Sequence, residues 1–276
     1  MKNFREDFDG KIAVVTGGTQ GLGAATAQLF AERGAAGLVI CGRNADKGQE
    51  AAASLARDQC PTFFVKADLA DIADCRNVVA SARSHFGRID VLVNAAAATD
   101  RGTIFDTTPE LFDKIFNVNV RGPFFLIQEA AKLMRSAKVH GTIVNVLSQA
   151  VHGGQPFISA YCASKGALST LTKNVAFALM PYRIRVNGLA IGWMNSEGED
   201  RTMRLFHGAK DGWQTEAAKT LPFGRLIEVD EVARAIAYLA SEESGLMTGS
   251  IVDFDQSVVG AYESQPPHPK IPNDVY

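Results

Sequence analysis

The chain alternates short, wholly apolar runs with longer stretches whose apolar positions recur every three to four residues. Residues 11–16 read KIAVVT, the pattern of a strand buried on both faces. Residues 21–33 follow with Leu22, Ala25, Leu29 and Phe30 on one helical face, then Gly34 as a stop. The rhythm continues, with strands expected at 38–41, 63–66, 89–93, 142–147, 183–189 and 251–254. Helices fit at 46–57, 72–86, 109–136, 160–181 and 229–241. Thr107 and Glu110 stand at capping-box spacing before the helix at 109. Such βαβα alternation predicts a single-domain Rossmann fold of the α/β class: a seven-stranded parallel sheet with helices on both faces. In that architecture ligands meet the residues just past the carboxyl ends of the strands.

Composition narrows the picture without changing it. The 276 residues are 46% hydrophobic and 21% charged, and 28 basic against 30 acidic side chains leave a net charge of −2. That balance excludes a polybasic nucleic-acid binder acting through bulk charge, and a strongly acidic disordered chain. No run approaches the roughly 18–20 apolar residues of a membrane span, so no membrane partner is expected. The first nine residues are polar and acidic, unlike a secretory signal. Cys41, Cys60, Cys75 and Cys162 form no CxxC pair, which fits free thiols in the cytoplasm. His85, His140, His152, His207 and His268 have no HxxxH or HExxH pairing, so no metal site is expected. Four prolines between 265 and 272 make the tail at 262–276 an extended strap or a frayed end.

The chemistry starts at the first strand end. Thr16-Gly17-Gly18-Thr19-Gln20-Gly21-Leu22-Gly23 lies between that strand and the first helix. Glycines at 17, 21 and 23 allow a tight turn and close backbone approach to a pyrophosphate, and the helix start offers free N–H donors. Gly17, Thr19, Gln20, Gly21, Leu22 and Gly23 are therefore candidate cofactor contacts. Arg43 follows the second strand, 20 residues past Gly23, where a carboxylate would select NAD. An arginine there suits a 2′-phosphate and favours NADP, with NAD as the alternative.

Tyr161-Cys162-Ala163-Ser164-Lys165 is a YxxxK motif, with Ser148 thirteen residues upstream and Asn119 in the Asn117-Val118-Asn119-Val120 segment. Singly, a helix tyrosine is usually packing, a serine a turn and a lysine a solvated charge. Together with TGxxxGxG in this order, the set resembles the classical short-chain dehydrogenase/reductase family over about residues 8–258. Tyr161 and Lys165 share a helix face. A phenol needs its pKa lowered to act as a base near neutrality, and a nearby ammonium does so. The resemblance implies that Tyr161 is the general acid/base and that Lys165 tunes it and holds the nicotinamide ribose. It also implies that Ser148 orients the substrate oxygen and that Asn119 positions a relay water. Asp68 and Leu69, after the third strand, belong near the adenine by the same resemblance, though Asp68 also reads as a helix cap. The same resemblance implies that Asn94, Gly192, Tyr161 and Lys165 also face the cofactor.

Three places depart from the family pattern. Asn94-Ala95-Ala96-Ala97 replaces NNAG, Ile191-Gly192 replaces Pro-Gly, and Asp255-Gln256-Ser257 replaces Asp-Gly-Gly. Ser196 stands where the family often has a threonine facing the carboxamide. Residues 193–220, where the family builds its substrate lid, are polar and charged and carry Trp193 and Trp213. With Ser148, His152, Gln155 and Tyr161, Trp193 gives hydrogen-bonding groups and an aromatic face, which suit a sugar or polyol. An exposed lid solvated by its own charges reads the same way. A 3-oxoacyl or other hydrophobic-ketone reductase is the alternative, and a non-catalytic cofactor-binding regulatory protein lies further off. The resemblance also implies a homotetramer built on the helices at 109–136 and 160–181. Ala167, Leu168, Leu171 and Val175 suit that interface, and burial within one subunit explains them equally.

Overall fold

The structure is a computed structural model that describes residues 7–261. Seven parallel strands form the central sheet: β1 (Ile12–Thr16), β2 (Gly37–Gly42), β3 (Thr62–Lys66), β4 (Val91–Asn94), β5 (Thr142–Val146), β6 (Arg185–Ile191) and β9 (Ile251–Phe254). Their order is β3-β2-β1-β4-β5-β6-β9, and every pairing is parallel. A short pair, β7 (Met194–Asn195) with β8 (Ile227–Glu228), lies apart from it. The direction of winding reverses between β1 and β4, which opens a crevice at the carboxyl ends of those two strands.

Both faces of the sheet are covered, which is why the strands read as unbroken apolar runs. Ala13, Val15, Leu38, Ile40, Val91 and Val93 pack with Ala27 and Phe30 of α1 (Gly21–Glu32). Val232 and Ile236 of α9 (Val229–Ala240) complete that layer. The alternate strand residues Val14, Val39, Leu92 and Ile143 face α3 (Ile72–Phe86) and α5 (Gly122–Ser136) through Val78, Val79, Leu126 and Ala130. α2 (Ala45–Leu55) covers the β3 edge, and α6 (Ser159–Leu179) lies beside α4 (Pro109–Phe116).

Several local expectations shift. The helix expected over 109–136 is two helices, α4 and α5, joined by a five-residue π-type turn, Asn117–Arg121. The cap of α4 is Thr108, whose hydroxyl accepts from Leu111 N at 3.2 Å; Thr107 instead donates to Thr103 O at 2.6 Å. Pro109 sets the register here, because its ring suits the first helical position and leaves Thr108 in the extended cap conformation. Asp71, not Asp68, caps α3, accepting from Ala73 N at 2.7 Å. The sixth strand starts two residues late because Arg183 closes a short turn with φ 56°. The region at 193–220 contains α7 (Glu197–His207) and α8 (Trp213–Ala218). The proline-rich tail at 262–276 lies outside the described residues. No helix among the described residues is long and apolar enough to cross a membrane.

Candidate active site

The glycine loop turns from β1 into α1 with Gly17 at φ +67° and Gly21 at φ +53°. Gly23 is required by contact rather than by conformation. A Cβ there would lie 2.3 Å from Gly17 O, inside the loop itself. Gly17 in turn passes against the backbone of Ala96, so the loop after β4 presses on the glycine turn. Thr16 pins that second loop, its hydroxyl accepting from Ala95 N and Ala96 N at 3.0 and 3.1 Å. With Thr16 and small alanines the crevice keeps a close-packed floor without the asparagine and glycine expected at those positions. Gln20 caps α1 without a side-chain bond, Leu22 is buried and Thr19 is half-buried. Arg43 is exposed directly after β2. The strand end reaches the loop because residue 42 is glycine: a Cβ there would meet Thr19 Cγ2 at 2.8 Å. Asp68 is exposed, its carboxylate accepting from Ala70 N, while Leu69 is buried.

A glycine turn packed too closely for any Cβ at Gly23, opening directly onto the first turn of α1, fits a dinucleotide pyrophosphate. The residues present thus fit a nicotinamide cofactor, with Arg43 beside the loop.

Four candidate residues converge past β5. Ser148 follows that strand and accepts from Ala150 N at 3.2 Å, and its hydroxyl favours the ionised form of the Tyr161 phenol. Tyr161 and Lys165 are one turn apart on α6, with the Lys165 ammonium 5.6 Å from the Tyr161 ring centroid. Lys165 is 3% exposed and donates to Val146 O at 2.8 Å. Burial pushes the Lys165 ammonium down to about 8, since the charged form loses its water. Atoms crowding the half-buried Tyr161 push its phenol up to about 12; Ser148 and then the Arg101 guanidinium pull the other way.

Asn119 sits in the π-type turn and is 1% exposed. Its amide gives both hydrogens away, to Ala98 O and Ser164 Oγ, each at 3.0 Å, and its oxygen accepts from Ala98 N at 2.8 Å. No side-chain N–H is left for a water. The π-type turn re-aims this side chain, binding the β4 loop to α6. Asn94 points into the sheet instead of the crevice, donating to Asn145 Oδ1 at 2.8 Å. Asn145 donates to Thr172, which donates to Leu168 O. This buried polar chain moors α6 to β4 and β5. Thr16, Asn145, Ser164 and Thr172 were absent from the sequence-based set. An asparagine inside the run TIVNVL was the one visible signal, because a doubly buried strand holds a polar side chain only with a partner.

The other substrate candidates scatter. His152 pairs with Asp253 on β9 at 3.0 Å. Gln155 is exposed. Trp193 donates to Glu199 at 2.9 Å and stacks on Trp213 at 5.7 Å. Ser196 caps α7. A cavity of about 700 Å³ opens in the lid beside Trp193, Met203 and Trp213, and Tyr161 is not part of its lining. Gly192 has its own cause: a Cβ would lie 1.8 Å from Asp255 Oδ1. Glycine at 192 and aspartate at 255 therefore form a matched pair, and both are residues that the family pattern also has at these positions. Leu168, Leu171 and Val175 are buried or half-buried against this chain's own β6 and α3–α5 layers.

Comparisons with known proteins agree on the family and the fold. Residues 17–257 match the family model described as enoyl-(acyl carrier protein) reductase. An uncharacterized oxidoreductase of Thermotoga maritima is 36% identical, covering 90% of this chain and 97% of that protein. Galactitol 2-dehydrogenase of Agrobacterium fabrum is 32% identical over 90% of this chain and 97% of its own length. The crystal structure of L-sorbose reductase from Gluconobacter frateurii, complexed with NADPH and L-sorbose, superposes with a TM-score of 0.86 at 27% identity. It covers 94% of this chain and 100% of that one. The chain thus belongs to the short-chain dehydrogenase/reductase family of oxidoreductases.

Proposed function

We propose that the protein is an NADP(H)-preferring oxidoreductase that interconverts an alcohol and a ketone on a sugar, a polyol or a similar polar substrate. The observation that carries this reading is Tyr161 on α6 with the buried Lys165 ammonium 5.6 Å from its ring centroid, one helical turn away. Two relatives named for a polyol and a ketose support the substrate class.

A bound nicotinamide supplies the hydride donor or acceptor. The chain's own residues do the rest. Gly17 and Gly23 leave backbone room for the pyrophosphate, and Arg43 holds the 2′-phosphate. Ser148 fixes the substrate oxygen against the phenol. In the reducing direction Tyr161 gives up its proton, which a phenol near 12 retains fully at neutral pH. In the oxidising direction Tyr161 must first lose that proton, and Lys165 is the adjacent group that exchanges protons near pH 8. Asn119 keeps the β4 loop and α6 in register.

A hydrophobic-ketone reductase is the second reading. The apolar lid cluster of Trp193, Met203, Trp213 and Leu226 favours it. Exposed Phe124 on α5 and Phe177 on α6 (43% and 78%) support a homo-oligomer, which we take to be a tetramer of one-domain subunits in the cytoplasm. The deciding experiment is a panel of sugars, polyols, aliphatic ketones and 3-oxoacyl thioesters, followed by nicotinamide absorbance with both cofactors. Turnover of polyols with NADP(H) is expected. Preference for the thioester supports the second reading, and silence across the panel would leave a cofactor-binding protein without turnover.

A further inference from the structure

Arg101 has no role in the account so far, and its surroundings are unusual. The Arg101-Gly102 segment pairs with the approach to α6. Gly102 N donates to Phe157 O at 2.9 Å, and Ser159 N donates to Gly102 O at 3.1 Å. Gly102 is thereby paired with the chain two to four residues before Tyr161, and the charge of the adjoining Arg101 reaches the Tyr161 phenol. The guanidinium lies over the Phe157 ring at 5.7 Å. Its Nε donates to His207 Nε2 at 3.3 Å and its Nη1 to Thr99 O at 3.0 Å. An arginine only donates, so the His207 ring nitrogen is the acceptor in this contact. Three of the five guanidinium N–H groups have no acceptor among the described residues. The neighbouring Asp100 is taken by Lys114 at 2.7 Å. Glu199, the carboxylate whose charge also reaches Tyr161, is hydrogen-bonded to Trp193 and joins no ion pair with Arg101.

A half-buried guanidinium held by ring stacking and two acceptors, with its outer fork unspent, matches a planar anion. We propose that Arg101 binds a carboxylate on the substrate, which is therefore a polyhydroxylated acid of the aldonate class. A single arginine balances one carboxylate. A phosphate dianion would leave excess negative charge within reach of Glu199. The hydroxyls of such an acid fall to Ser148 and Glu199. This inference rests on the reading of Tyr161 as the acid–base group.

The test measures kcat/KM with saturating NADP for aldonates and for alditols of matching stereochemistry: gluconate against sorbitol, galactonate against galactitol. A phosphorylated sugar alcohol forms a third arm. The wild type is expected to favour the acid at least about tenfold, through KM. In Arg101→Gln that ratio should fall about tenfold or more, and in Arg101→Lys by less. A wild-type ratio at or below one overturns the proposal, as does a ratio that Arg101→Gln leaves unchanged, which would make Arg101 a brace between the lid and the β4 loop. Better turnover of the phosphate arm also overturns it. Turnover of alditols without preference for acids defeats this inference alone, whereas no turnover of any arm defeats the oxidoreductase reading with it.

Discussion

The glycine loop at 16–23 and the region at 193–220 are held by different forces. The loop is fixed by backbone: Gly17 passes Ala96, Gly23 passes Gly17 O, and Thr16 ties both loops through main-chain donors. The lid is fixed by side chains. Trp193 and Trp213 stack, and their indoles donate to Glu199 and Asp200. Arg204 binds both Asp200 and Asp211. Where backbone sets geometry, few residue types serve, so sequence and function are tightly linked. Where side chains set it, many solutions exist, and each takes polar groups away from the substrate.

The sharpest contrast with the lid lies at Lys165. Lys165→Met should lower turnover by about 100-fold or more. It should also stabilise the fold, because a buried ammonium held near 8 instead of 10.5 is unfavourable below pH 8. Between pH 8 and 10.5 the unfolded wild type binds more protons than the folded form, so the wild type gains on the variant by up to about 3 kcal/mol as pH rises. Denaturant unfolding of both proteins at pH 7.5 and 10.5 reads the sign; a gap that widens with pH contradicts it.

Next comes the loop. Gly23→Ala places a methyl on Gly17 O and should weaken NADPH binding by roughly 10–100-fold, seen in a fluorescence titration. Unchanged affinity would mean that the loop is as adaptable as the lid.

Gly192→Ala sits where the two regimes meet. Its methyl would strike Asp255, whose carboxylate is held by Ser257. A loss of about tenfold in kcat/KM is expected, with recovery in Gly192→Ala/Asp255→Gly. Failure of the double variant would show that backbone, not Asp255, demands the glycine.

The smallest effect belongs to His152→Ala. Its exposed pair with Asp253 is worth at most about 1 kcal/mol, and KM should move less than about twofold. A tenfold rise would return His152 to the substrate.

The same contrast explains what could be read in advance. Parallel strands buried on both faces announce themselves as KIAVVT or TIVNVL, and YxxxK with an upstream Ser148 needs only helix spacing. The π-type turn at Asn117–Arg121 was hidden, because an extra residue in a helix leaves the apolar period nearly intact. The thiols are another silent feature. Burial pushes Cys41 up to about 12 and Cys75 to about 11, which marks them as packing groups. His152 and Trp193 looked available in sequence, and only the fold reveals Asp253 and Glu199 as their partners.

The central claim is that Tyr161 carries the proton in a site whose cofactor cradle is separate from it. Tyr161→Phe removes one oxygen and leaves the glycine loop and Lys165 in place. NADPH binding, followed by fluorescence, should match the wild type, while turnover of the best panel substrate falls at least about 100-fold. Turnover within a few-fold of wild type would contradict the account.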